Sequence, residues 1–246
     1  MKNKLLVLAL VLFGIFFSAC SEDSTEPPLV EEGEIALFST PSGARIIIND
    51  IIEGTTPDTI TTEVGVIDIL FSLDNYVDTT VSVSVTADNM GILNVTLQPE
   101  RVKYGLIKVW ETGNNSTVDQ PSGIDLSSGS TIAISGADSL IADMYYTGFN
   151  FTIRSAGYLG GNHRVTAFKE GAASDIDDGV DSPEHDANWS DSMPDDVNGN
   201  YYFLYDADGN YSKFRVVNTG GTATWNDPKW VEVEWIYVKA PGATSF

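Results

Sequence analysis

His163 and His185 are the only two histidines of the chain, and imidazole is the side chain that ligates metals and moves protons near neutral pH. His163 sits in Gly160-Gly161-Asn162-His163-Arg164, and His185 lies between Glu184 and Asp186, so both fall in loop-like sequence between strands. The single cysteine, Cys20, excludes an intramolecular disulfide and any Cys-cluster metal or iron–sulfur site. Asp206-Ala207-Asp208-Gly209-Asn210 begins like an EF-hand loop. Tyr211 stands where that loop needs its sharp-turn glycine, and Val217 stands where it needs a bidentate glutamate, so a hairpin turn is favoured. Asp177, Asp178 and Asp181 offer a cation no more than a non-specific carboxylate cluster. HExxH, the GxSxG elbow and the P-loop are all absent from the sequence. Two loop histidines give a serine triad no context. No enzymatic activity is expected, and no metal site is expected apart from any cofactor considered below.

The elements that must carry these residues belong to an acidic chain. Lys+Arg number 13 against 35 Asp+Glu, a formal net charge of −22. That balance repels a phosphate backbone, so nucleic acid is excluded as a partner. A hydrophobic fraction of 42% with 20% charged residues describes a globular chain, and 246 residues allow one large or two small domains.

Lys2 and Lys4 precede an apolar run over 5–17, the length of a signal-peptide core and too short to span a membrane. It ends in Phe17-Ser18-Ala19-Cys20, which resembles a bacterial lipobox, with Phe17 where leucine is commoner. The resemblance implies a signal peptide over 1–19 and a lipid on Cys20, the mature N-terminus. Residues 20–33, acidic and holding two prolines, then form a lipidated tether, so the membrane is a partner through Cys20. Ser21-Glu22-Asp23 is similar to the surface-export signal of Bacteroidetes-type lipoproteins, which implies an outer-membrane, surface-displayed protein.

Residues 34–99 read as a small antiparallel β-sandwich. Ile67, Ile69 and Phe71 alternate with polar or lesser apolar positions, as do Val81, Val83 and Val85. Pro41-Ser42-Gly43, Asn49-Asp50 and Gly54-Thr55-Thr56-Pro57 mark turns. Pro41-Ser42-Gly43-Ala44, Asn49, Gly54 with Thr56-Pro57, Gly65 and Asn75-Tyr76 resemble the PEGA domain. Asn75 stands where that family usually has glycine, and asparagine tolerates the left-handed turn. The resemblance implies a non-catalytic surface module that serves either as a spacer or in binding.

Residues 101–246 read as a second, larger β domain, so the whole is expected to be all-β with two antiparallel β domains. Trp230 to Tyr237 alternate, with Val231, Val233, Trp235 and Tyr237 on the face expected to point inward. Residues 175–196 contain no Lys or Arg and read as a long exposed acidic loop, pinned to the body by Trp189 and Met193. Ile124-Asp125-Leu126-Ser127-Ser128-Gly129, Ala142-Asp143-Met144-Tyr145-Tyr146, the stretch 205–214, Val233-Glu234-Trp235-Ile236-Tyr237 and the final 241–246 resemble the HmuY-type haem-binding lipoproteins. That resemblance implies haem as the cofactor, with His163 and His185 as candidate axial ligands and Met144 and Met193 as thioether alternatives. Tyr158 and Trp189 would line the porphyrin. The alternative is an interaction lipoprotein without a cofactor, presenting its β domains to an envelope partner protein or a polysaccharide.

Overall fold

A computed structural model describes residues 30–246 apart from 115, 116, 118 and 198. The signal peptide, Cys20 and most of the tether lie outside the described residues. Among those described, seventeen strands and three short 3-10 turns make up the regular structure, and the fold is all-β.

The first seven strands are β1 (Glu32–Thr40), β2 (Arg45–Ile48), β3 (Ile51–Thr55), β4 (Asp58–Glu63), β5 (Gly65–Ser72), β6 (Thr79–Val85) and β7 (Gly91–Thr96). They form a three-stranded sheet, β4-β1-β7, and a four-stranded sheet, β3-β2-β5-β6. Period-two patterning delivers Leu37, Ile46, Ile60, Ile69, Phe71 and Val95 to one shared core. Asn49 and Asp50 take positive φ of 51° and 64° and close the β2–β3 turn, the geometry such residue pairs favour. Asn75 is left-handed at φ 68°, as the substitution for glycine requires. One pairing departs from the antiparallel expectation: β1 and β7 run parallel, with Ala36 opposite Ile92. The chain leaves β1 for the opposite sheet and returns as β4, then crosses again through β5 and β6. This second excursion supplies the crossover that parallel neighbours need.

The remaining strands are β8 (Arg101–Trp110), β9 (Gly123–Asp125), β10 (Ser130–Ile132), β11 (Met144–Thr147), β12 (Thr152–Ser155), β13 (Ala167–Glu170), β14 (Ser192–Pro194), β15 (Tyr202–Tyr205), β16 (Tyr211–Gly220) and β17 (Trp230–Val238). Two five-stranded antiparallel sheets, β10-β9-β11-β12-β14 and β13-β15-β16-β17-β8, enclose a second core. Val231, Val233, Trp235 and Tyr237 point into it, and the Trp235 indole donates to the Leu126 carbonyl at 3.0 Å. The two cores share no residue. Glu100 lies directly before β8; its N–H donates to the Asn75 carbonyl at 2.8 Å, and its own carbonyl accepts from Lys239 N–H at 2.9 Å.

Part of the outer face of the second sheet is covered rather than solvated. Ile236, on the parity opposite Trp235, is buried with Ile176, Tyr201 and Phe203. Lys213 on β16 is wholly buried; its ammonium donates to Asp178 at 2.7 Å and lies 4.8 Å from the centre of the Phe246 ring. The segment around 176–181 is therefore a strap across the sheet.

Candidate functional site

The structure scatters the sequence-derived candidates. Met144 on β11 and Met193 on β14 lie in the second core beside Ile124, Tyr146 and Phe214, packed as apolar side chains. Neither thioether is a surface ligand. Their strands explain this: Met193 pairs with Ile153 and Met144 with Ile124, all on the inward parity. His163 follows a 3-10 turn over Ala156–Leu159. Its Nδ1 lies 2.7 Å from the Gly160 carbonyl. A carbonyl only accepts, so Nδ1 carries a proton, and in the neutral ring Nε2 is the nitrogen with the lone pair. Tyr158, Leu159 and Val165 on the same loop are exposed, and the Arg154 guanidinium lies 3.6 Å from the centre of the Tyr158 ring. His185 is on a different loop, its ring stacked on Tyr205 at 4.4 Å and edge-on to Trp189 at 5.3 Å, while its backbone N–H donates to the Tyr211 hydroxyl.

The acidic stretch 175–196 is not a wholly solvated loop. Ile176, Ser182 and Met193 are buried, Trp189 packs on the outer cluster, and residues 192–194 form β14. Asp195 accepts from the Tyr146 hydroxyl at 2.7 Å and from Lys229 at 2.9 Å. Carboxylates that read as solvent-loving in the sequence therefore work as fasteners. Trp189 and Met193 pin the segment, as expected.

A second set of fasteners joins two motifs. Asp143, almost fully buried, accepts from the Leu126 N–H at 2.8 Å and from Arg164 Nε at 2.6 Å, and Arg164 also donates to Asp208 at 2.5 Å. Burial pushes the Asp143 carboxyl up to about 6, against the pull of Arg164 and the Leu126 N–H. Burial also raises Asp206, although its carboxylate accepts from the Asn210 and Asp208 N–H groups. Those two bonds shape the 206–210 hairpin turn, which joins β15 to β16 as the sequence indicated. Burial opposes the charge on Arg164, but the hydrogen bonds to Asp208 and Asp143 outweigh it and raise its pKa. This network clamps the loop before β11 and the His163 loop to the hairpin.

An open groove of about 590 Å³ with several convergent polar groups lies where the two sheets of the second sandwich meet at their edges. Lys169 and Glu170 come from edge strand β13, Asn188 and Ser190 from the acidic segment, Asn200 from the approach to β15 and Tyr202 from its first position. Phe168 and Ser190 exchange two backbone hydrogen bonds at 2.8 and 2.9 Å, which joins the two sides. Asn200 donates to Glu170 at 2.9 Å. Burial, with the Glu170 charge, raises the half-buried Tyr202 hydroxyl. Amides, hydroxyls, an ammonium and a carboxylate thus face one trough with an aromatic ring beside them. Among the described residues no group of three His, Cys, Asp or Glu side chains is placed to hold a metal ion.

The proximal sandwich has three strands over four, with turn residues Pro41-Ser42-Gly43, Asn49-Asp50 and left-handed Asn75. Residues 32–101 match the PEGA domain. The match starts on the first residue of β1 and ends on the first of β8, so it encloses both sheets of the proximal sandwich. A PEGA domain points to a surface or envelope-associated protein. No curated protein matches the chain. Among the described residues no helix is long and apolar enough to cross a membrane. Beyond the PEGA module, the groove residues escaped sequence reasoning because they come from three separate segments and carry no motif. The one available signal was the Asn and Ser content around Trp189 within the acidic segment.

Proposed function

We propose that the protein is a non-enzymatic outer-membrane lipoprotein, held at the cell surface by lipid on Cys20, whose distal sandwich grips a neutral polysaccharide. The PEGA module carries the distal sandwich away from the membrane. The observation that supports polymer binding is the groove: it is broadly open to solvent, about 590 Å³ in volume, and lined by side chains that donate and accept hydrogen bonds. Sugar hydroxyls need that mixture. The net charge of −22 disfavours a polyanionic chain, so a neutral glycan is the better occupant. Affinity electrophoresis of the full chain through gels containing galactomannan, xylan, dextran or polygalacturonate tests this. Retardation by a neutral glycan, weakened in Asn188→Ala and Lys169→Ala, is expected. Unchanged mobility in all four gels overturns the proposal. Cys20→Ser should leave an unprocessed precursor or release the protein from the membrane fraction, and normal processing with membrane retention refutes the anchor.

One observation supports a second reading, in which the HmuY resemblance extends to haem. Haem, when bound, supplies an iron with axial positions open to a nitrogen ligand. His163 suits one such position: its Nδ1–H is fixed by the Gly160 carbonyl, and exposed Tyr158, Leu159 and Val165 lie on the same loop. The other candidates do not complete a pair, since His185 is stacked on Tyr205 and Met144 and Met193 are in the core. Haemin titration followed by visible absorption separates the two histidines. This reading expects a Soret band that His163→Ala abolishes and His185→Ala leaves alone; a broad band insensitive to both rejects it.

A further inference from the structure

Most lysines and arginines of this acidic chain have a carboxylate within ion-pair distance, such as Lys103 with Asp177, Lys213 with Asp178 and Arg215 with Glu234. Arg154 instead stacks on Tyr158. Among the described residues two cations have neither kind of partner, Arg101 and Lys169, and each lines a cleft. Lys169 belongs to the groove already described. Arg101 lines a separate, smaller cleft of about 360 Å³ on the outer face of the β8–β17 side of the distal sandwich.

The strap creates this cleft. Asp178 turns down onto Lys213 on β16, and Asp177 reaches Lys103 on β8. The strap therefore crosses the sheet without covering Arg101 at the start of β8. Ile236 lies beside Lys103 in the sheet register, and Ile176 and Phe246 supply further apolar walls. The charge of Lys103 is answered by Asp177, which leaves the Arg101 guanidinium as the cleft's free charge. With 35 acidic residues in the chain, a cation that lines a cleft beside three apolar side chains and has no carboxylate within ion-pair distance is a conspicuous gap.

From this juxtaposition we infer that the cleft binds a small amphipathic carboxylate, its carboxyl group on Arg101 and its apolar body against Ile176, Ile236 and Phe246. Guanidinium matches a planar carboxylate through two parallel hydrogen bonds, which an ammonium does not reproduce. The volume falls at the small end of the range of about 300–1,000 Å³ for small-molecule sites. Because the net charge of the chain repels anions, recognition in this cleft depends on this one guanidinium.

Calorimetric titration of the full chain in detergent with 3-phenylpropionate tests the inference, with 3-phenylpropionamide as the uncharged counterpart. Saturable binding of the acid is expected, at least tenfold tighter than the amide. Arg101→Gln should weaken it tenfold or more, Arg101→Lys should restore it in part, and Lys169→Gln should leave it unchanged. The Arg101 side chain is exposed, so an unaltered melting temperature verifies that these variants are folded. No saturable binding, equal binding of acid and amide, or an Arg101→Gln variant that binds normally would each overturn the assignment.

Discussion

Replacing Asp178 by Asn withdraws, among the described residues, the only carboxylate within ion-pair distance of Lys213, whose side chain has 0% exposure. The ammonium is then left among Tyr201, Phe203 and Phe246, with ring centres 5.0, 5.6 and 4.8 Å away. Breaking a buried pair on one side costs about 3–5 kcal/mol, and the rings offset about 1–2 kcal/mol of that. A net loss of about 1–4 kcal/mol corresponds to a fall of about 3–15 °C in melting temperature for a unit of this size. All five tryptophans lie between 110 and 235, so tryptophan fluorescence follows the distal sandwich alone. Adding Lys213→Met to the Asn variant removes the stranded charge and should recover about 2 kcal/mol. Burial tends to raise the Asp178 carboxyl, but the hydrogen bond from Lys213, helped by Ser174 and the Val180 N–H, holds it well below the usual range. A depressed pKa gives stability that is present at neutral pH and is lost as pH falls through the folded value. The gap between wild type and Asn variant should therefore close below about pH 4. A melting shift under 2 °C, or no recovery in the double variant, would refute the claim that the strap is part of the fold.

Three further outcomes are expected. Asn75 at φ 68° should tolerate glycine within about 0.5 kcal/mol, whereas Asn75→Ala should cost about 1 kcal/mol in the PEGA module, measured by circular dichroism in urea. Asp143, raised to about 6, binds its proton more tightly in the native state than unfolded, so its contribution to stability should fall as pH rises from about 4 to about 6. Carbon-detected NMR of the Asp143 carboxyl should show a midpoint near 6, and a midpoint below 4 contradicts the dominance of burial. Because the two cores share no residue, residues 32–100 expressed alone should melt cooperatively with a margin of a few kcal/mol, and an unfolded fragment would show that the PEGA module depends on the distal sandwich.

Strand periodicity made much of this legible. Val231, Val233, Trp235 and Tyr237 alternate strictly, and a two-residue period can place only one parity inward. The burial of Ile236 was not legible in the same strand, because its cover comes from Ile176, some sixty residues away, in sequence dominated by aspartate. Composition described those carboxylates as solvated; pairing with Lys213, Lys103 and Lys229 made them structural. β14 was hidden for a related reason, being three residues ending in proline and set among acids. β3 and β4 were not legible beside the 54–57 turn, because each is short and carries little period-two apolar pattern. Among the chemically capable side chains, Met144 and Met193 have inward parity and so became packing. His163 and His185 stayed at the surface but on loops whose separation only the tertiary structure sets. Arg101 and the groove residues depend on which charges remain unpaired, which no local pattern reports.

The parallel pairing of β1 with β7 has a mechanical consequence. Parallel neighbours send the chain in at one end of the sheet and out at the other, so Glu32 and Thr96 lie at opposite ends of the paired strands. A pull applied through those two points, as when the chain is tethered upstream and its distal sandwich is dragged by a bound polymer, slides β7 along β1. All hydrogen bonds of the Ile35–Gly91 to Thr40–Thr96 register then resist together, over about 20 Å of strand. An antiparallel pair with both connections at one end would instead open one bond at a time. The PEGA module is thus wired as a shear-loaded coupling rather than a zipper.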